Sequence, residues 1–165
     1  MPEFAARPRG AGRRVAVLAS RFNEEIVRRL VDGALGALVG QGADLNDIDV
    51  IWVPGAWELP VAARYALETE RYDAIVALGA VIRGETAHFD YIAAETARGL
   101  QQLNLDFGVP VTFGVLTTDT EEQAAERAGG AHGNKGADAA LAALEMAELF
   151  ERLDVTETAR DGGGA

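Results

Sequence analysis

The 165-residue chain has no cysteine, which excludes disulfide frameworks, thiolate catalysis and cysteine-ligated zinc, and leaves two histidines for any imidazole metal site. Positive charge is scarce. Fifteen Lys and Arg stand against 26 Asp and Glu, a net charge of −11, and such a surface repels nucleic-acid phosphates instead of recruiting them. No stretch approaches about 18 uninterrupted apolar residues, so no membrane span is expected. The opening residues MPEFAARPRGAGRR lack the apolar core of an export signal, and a cytoplasmic location follows as the expectation.

What is present is ordinary globular composition, 48 % hydrophobic and 25 % charged, in a length suited to one domain. Arg7, Arg9, Arg13 and Arg14, interleaved with Pro2, Pro8, Gly10 and Gly12, read as a flexible or edge-pairing arm over residues 1–13. Residues 14–153 read as the domain, and 154–165 (DVTETARDGGGA) as a disordered tail.

Four short apolar runs rich in β-branched residues, Val15 to Ala19, Asp49 to Val53, Ala74 to Leu78 and Val111 to Leu116, read as parallel strands buried on both faces. Helical periodicity fills the gaps. Asn23 is placed to cap a first helix whose apolar stripe runs from Ile26 to Val39, and a second begins near Trp57 or Glu58 with Pro60 in its first turn. A third follows Thr86 and ends before Pro110. Thr120 and Gln123 have capping-box spacing ahead of a short helix, and a final helix reaches about Leu153. Alternating strands and helices predict one α/β domain, a three-layer α/β/α sandwich of the flavodoxin-like kind. Its sheet has four parallel strands, with room for an N-terminal edge strand.

In such sheets ligands bind beyond the carboxyl ends of the strands, so three loops matter: Ser20 to Asn23, Pro54 to Glu58 and Gly79 to His88. Phe22 could stack on a planar ring or serve as a hydrophobic staple for the helix after it. PGAWE offers small residues for close backbone approach, then Trp57 and Glu58 at a helix start, where capping alone would explain the carboxylate. GAVIRGETAHFD has glycine spacing near that of a phosphate loop, but Glu85 stands where a nucleoside triphosphatase needs lysine. Gly84 and Thr86 could still cradle a single phosphate through backbone N–H groups; a plain strand-to-helix turn explains them equally well. His88 falls in the first helical turn, where the positive end of the helix favours a neutral ring able to accept a proton. Arg127 and Lys135 flank the bend AGGAHGNKG as candidate cations for a phosphate or an oxyanion, with Asp138 one turn past Lys135; His132 reads as an exposed turn residue.

Taken together, SRFNEEI, VPGAWELP, LGAVIRGETAHFDY, VPVTFGVLTTDTEEQAAERAG and GNKGADAA, in this order over roughly Val15 to Leu153, resemble the 6,7-dimethyl-8-ribityllumazine synthase family. The resemblance implies condensation of 5-amino-6-(D-ribitylamino)uracil with 3,4-dihydroxy-2-butanone 4-phosphate to the lumazine, phosphate and water, with no metal or organic cofactor. It implies that Phe22 stacks on the pyrimidine with Asn23 beside it, that Ala56, Trp57 and Glu58 hold the ribityl chain, and that Ala80, Val81 and Ile82 meet the ring edge. Gly84, Glu85, Thr86 and Arg127 would take the phosphate, and His88, with Arg127, would carry the chemistry.

Phe113 matches a family active-site aromatic, yet it lies about 10 Å short of the strand-end rim at 3.3 Å per residue. The family places each site between neighbouring subunits of a pentamer, one supplying Phe22 through His88 and the next supplying Phe113, Arg127 and Lys135. Such pentamers stand alone, pair as decamers or join in an icosahedral shell of twelve, and the short bend AGGAHGNKG resembles that of shell-forming members. Riboflavin synthase is a further candidate partner. The rival reading is a non-catalytic flavin- or lumazine-binding cage protein of the same fold, against which His88 and Arg127 speak. A flavodoxin-like electron carrier would need a Ser/Thr-rich phosphate loop after the first strand, which ASRFNEE lacks.

Overall fold

β-Branched and aliphatic side chains with no polar face leave a strand only one place to go, the middle of a layered sandwich, and the chain obeys this. In the computed structural model, which describes Met1 and residues 3–161, every residue of β1 (Val15–Ser20) is buried. β2 (Ile48–Val53), β3 (Ala74–Ile82) and β4 (Val111–Thr118) complete a parallel sheet in the order β2-β1-β3-β4. The expected strands are all present. β3 and β4 each run past their expected ends, because Gly79 to Ile82 and Thr117 to Thr118 keep pairing with one another at the rim.

One face is covered by α1 (Glu24–Gly40), α4 (Glu121–Arg127) and α5 (Lys135–Asp161), and the other by α2 (Leu59–Glu68) and α3 (His88–Phe107). In α1 the buried stripe is Ile26, Val27, Leu30, Val31, Ala34 and Leu38, where each large side chain contributes about 1.5–3 kcal/mol over an exposed one. Glu24 and Glu25 complement the dipole at its start. α3 stops at Gly108, whose φ of 64° lies in the left-handed region that suits glycine. Asn104 then clamps the next strand: its Oδ1 accepts from Val111 N–H at 2.7 Å and its Nδ2 donates to Val111 C=O at 2.8 Å.

Three expectations are corrected. Asn23 holds the N-cap position of α1 but its side chain does not cap the helix; it sits in the left-handed region (φ 58°) and its Nδ2 donates to Ala80 C=O at 2.9 Å, tying the loop after β1 to the end of β3. The glycine-rich bend is a small hairpin, β5 (Ala128–Gly130) against β6 (Gly133–Asn134), and not a plain turn. Asn134 closes it by accepting from Gly136 and Ala137 N–H at 2.9 and 3.1 Å, which starts α5. That helix continues to Asp161 where looseness was expected from residue 154, since no Gly or Pro interrupts the chain before Gly162. The remainder of the expected tail, 162–165, lies outside the described residues.

No N-terminal edge strand forms among the described residues, nor does the arm extend freely. The buried Arg13 reaches Glu148 and Glu151 at 2.7 and 2.6 Å, Arg9 joins Glu148 at 3.2 Å, and Arg152 donates to Ala5 C=O at 2.9 Å. Arg9 and Arg13 of the arm are thus paired with the acidic face of α5. Among the described residues no helix is long and apolar enough to cross a membrane.

Candidate functional site

The strand order reverses between β1 and β3, and a crevice opens there beyond the carboxyl ends of both strands. Its volume is about 350 Å³, enough for a small ligand. Phe22 follows β1 directly. It is 71 % exposed, and its ring forms one wall of the cleft. Opposite, a 3-10 turn over Ala56–Glu58 precedes α2 and brings in Ala56 and the 56 % exposed Trp57, with Gly55 beneath. The turn is anchored from α3: the buried Thr96 donates its Oγ1 hydrogen to Ala56 C=O at 3.2 Å.

The floor is the end of β3, Ala80, Val81 and Ile82, followed by Gly84, Thr86 and His88. Thr86 Oγ1 accepts from His88 N–H at 3.4 Å, which places the imidazole at the first residue of α3. Among the described residues the N–H groups of Gly84, Glu85 and Thr86 donate to nothing within the chain. Three adjacent free donors beside a helix N-terminus are what an anion would meet.

Nine of the expected site residues therefore converge on one cleft: Phe22, Ala56, Trp57, Ala80, Val81, Ile82, Gly84, Thr86 and His88. Asn23 stands behind it, holding Ala80. Glu58 does not line it but borders the adjoining depression with Trp57 and His88, and makes no side-chain cap for α2. Glu85 is exposed on the loop and outside the cleft.

Phe113, Arg127 and Lys135 are elsewhere. Phe113 lies in register with Ala77, well below the rim, on the edge strand β4. Arg127 donates from Nη1 to Gln123 C=O at 3.0 Å and stands 3.8 Å from Glu126, while Lys135 pairs with Asp138 at 3.4 Å. His132 is exposed on the hairpin, 3.5 Å from Glu126. The cleft of a single chain thus contains no Lys or Arg among its lining residues.

Sequence reading gave Phe89 and Ile92 no role at the site; both line the cleft. Their position one residue and one turn past His88 was the available signal. It also passed over Arg83, which donates to Asp119 at 2.9 Å and to Asp90 at 3.3 Å and lies 4.4 Å from the centre of the Phe89 ring. The hydrogen bond with Asp119 raises the Arg83 pKa above its ordinary value, with burial opposing and the charge of Asp90 assisting.

The fold and the cleft define a doubly wound α/β protein with an aromatic-walled cleft at the switch point of its sheet. The family model described as 6,7-dimethyl-8-ribityllumazine synthase matches residues 12–151. A protein of that name from Gemmatimonas aurantiaca is 64 % identical over 163 residues, covering 98 % of this chain and 99 % of its own. Another from Aquifex aeolicus is 54 % identical over 142 residues, covering 86 % of this chain and 92 % of its own. The chain belongs to the 6,7-dimethyl-8-ribityllumazine synthase family.

Proposed function

We propose that the cleft condenses 5-amino-6-(D-ribitylamino)uracil with 3,4-dihydroxy-2-butanone 4-phosphate to give 6,7-dimethyl-8-ribityllumazine, orthophosphate and water. The observation that carries this reading is the convergence of an exposed aromatic wall, a strand end, a set of free N–H donors and one imidazole on a single cleft. A flat pyrimidine fits between Phe22 and the main chain of Val81 and Ile82, with its polyol chain along Ala56, Trp57 and Glu58. The phosphate of the second substrate is received at Gly84, Glu85 and Thr86.

With both reactants held, the amine attacks the ketone and water leaves as the imine forms. Phosphate is then eliminated, the product isomerises, and closure of the second ring expels water again. His88 accepts and returns the protons these steps require. Alignment of the two reactants supplies much of the acceleration, since a bimolecular encounter has become an intramolecular one.

A phosphate dianion in a cleft without a lining cation is incompletely balanced. We propose that a neighbouring copy supplies the missing charge through Arg127 and Lys135, and a second aromatic through Phe113, with pentamers as the minimal ring. The exposed apolar side chains Val61, Tyr65, Tyr91 and Leu105 support burial against a partner. A cytoplasmic location agrees with the absence of cysteine. Riboflavin synthase, which would consume the lumazine, is the natural further partner.

The test is direct. Mixing the purified protein with both substrates should produce the absorption of the lumazine with one orthophosphate released per product. Binding of both substrates without either signal would leave only a binding protein.

A further inference from the structure

Arg83 lies between two residues of the cleft, Ile82 and Gly84, but does not itself line it. Its N–H donates to Thr118 C=O at 2.9 Å, at the end of β4. Its guanidinium is held on three sides: Nε by Asp119 in the turn after β4, Nη1 by Asp90 in the first turn of α3, and its face by the Phe89 ring. One residue therefore joins the ends of β3 and β4 to the start of α3. The segment enclosed by these three attachments is Gly84 to Ala87, the loop with the free N–H donors, together with His88.

Stability alone does not account for the arrangement. Arg83, Asp90 and Asp119 are all open to solvent, and exposed ion pairs contribute little to folding. What a planar fork between two carboxylates and a ring does supply is orientation, which a lysine could not reproduce. Phe89 is both a cleft wall and the surface on which the guanidinium rests, so the clamp and the cleft share a side chain.

We propose that Arg83 is a positioning residue for the phosphate-bearing substrate, holding the loop 84–87 in the form that presents its N–H groups to the phosphate. The inference rests on the cleft assignment made above. Loss of the clamp lets the loop relax, which weakens the grip on phosphate and leaves the aromatic wall for the pyrimidine at Phe22 intact. Arg83 acts through the loop and does not touch the reacting atoms.

The experiment compares wild type with Arg83→Gln, Arg83→Lys and Asp119→Asn, measuring KM for each substrate, kcat, and inhibition by inorganic phosphate. Arg83→Gln should raise both the KM for the phosphate-bearing ketone and the inhibition constant of inorganic phosphate about three- to tenfold, and Arg83→Lys, which keeps the charge without the fork, should resemble it. The KM for the uracil should stay within about twofold of wild type. Asp119→Asn separates a clamp from a simple charge. Removing a negative charge would by Coulomb's law alone tighten phosphate binding, whereas cutting one arm of the clamp should weaken it about twofold or more.

The proposal is overturned if Arg83→Gln leaves the phosphate constants unchanged, if it shifts both substrates equally, or if Asp119→Asn tightens phosphate binding. Should Arg83→Gln fail to fold, Asp119→Asn decides alone. If the wild type makes no lumazine, the functional reading falls, and the inhibition titration is replaced by direct binding of inorganic phosphate to the same variants, which still tests the clamp.

Discussion

Replacing Asn23 with alanine removes a hydrogen bond and imposes a strained backbone at the same position. The bond from Nδ2 to Ala80 C=O, 2.9 Å long, contributes about 0.5–1.5 kcal/mol net. The left-handed conformation, φ 58° and ψ 45°, costs an alanine roughly 1–2 kcal/mol, a penalty asparagine escapes in part and glycine entirely. Asn23→Ala should therefore lose about 1.5–3 kcal/mol, and Asn23→Gly, which loses only the bond and some chain entropy, should be the more stable variant by about 0.5–1 kcal/mol. At roughly 2–4 °C per kcal/mol for a chain of this size, the alanine variant should melt about 3–12 °C lower. Thermal unfolding should be followed at matched protein concentration, because assembly shifts the midpoint by mass action. Since Phe22 precedes Asn23 and Ala80 floors the cleft, KM for the uracil should rise in the same order, alanine above glycine. An alanine variant that melts with wild type, or a glycine variant that melts below the alanine variant, would refute the reasoning.

His88→Ala should lower kcat by roughly 10- to 100-fold with little change in either KM, the residual rate coming from alignment; unchanged turnover in steady-state kinetics would remove His88 from the chemistry. A Cβ at Gly136 would lie 2.0 Å from Leu30 O, a backbone atom that cannot swing aside, so Gly136→Ala should cost about 3 kcal/mol or more by separating α1 from α5. A denaturant midpoint equal to wild type would contradict this. For Glu148, burial raises the pKa but hydrogen bonds from Arg13 and Arg152 and the charge of Arg9 outweigh it, leaving the native value below the ordinary 4.5. Its contribution to stability is thus present above that ordinary value and lost as pH falls through the lowered one. Glu148→Gln should flatten the acid limb of a stability-against-pH curve, and a parallel limb would show that the pairing is inert.

Strand positions were legible because runs such as Val15 to Ala19 have no polar face, and Phe22, Trp57 and His88 were legible because exposed aromatics and an imidazole at strand ends have few structural uses. The misreadings share a cause. Ending the third strand at Leu78 put Gly79 to Ile82 in the loop beyond it, but pairing with β4 carries the strand through them. Asn23 has the right residue type for a cap, and only the approach of β3 offers it a better acceptor. Phe89 and Ile92 obey helical periodicity, which identifies an apolar face without saying whether core or cleft lies against it. Arg83 acquires meaning only when Asp119, from a distant turn, arrives beside it. For Phe113, Arg127 and Lys135 the family resemblance supplied a role that the single chain does not display, since all three stand away from the cleft.

Sharing of the site between subunits is tested most directly by complementation. His88→Ala chains, slowed roughly 10- to 100-fold, and Arg127→Ala chains would be unfolded together, refolded as mixed assemblies and assayed for lumazine formation. If one copy supplies the cleft and its neighbour supplies Arg127, random mixing of equal amounts restores complete sites at about one quarter of the interfaces, with a matching share of wild-type activity. Activity no greater than the average of the two parents would mean that each chain builds its site alone.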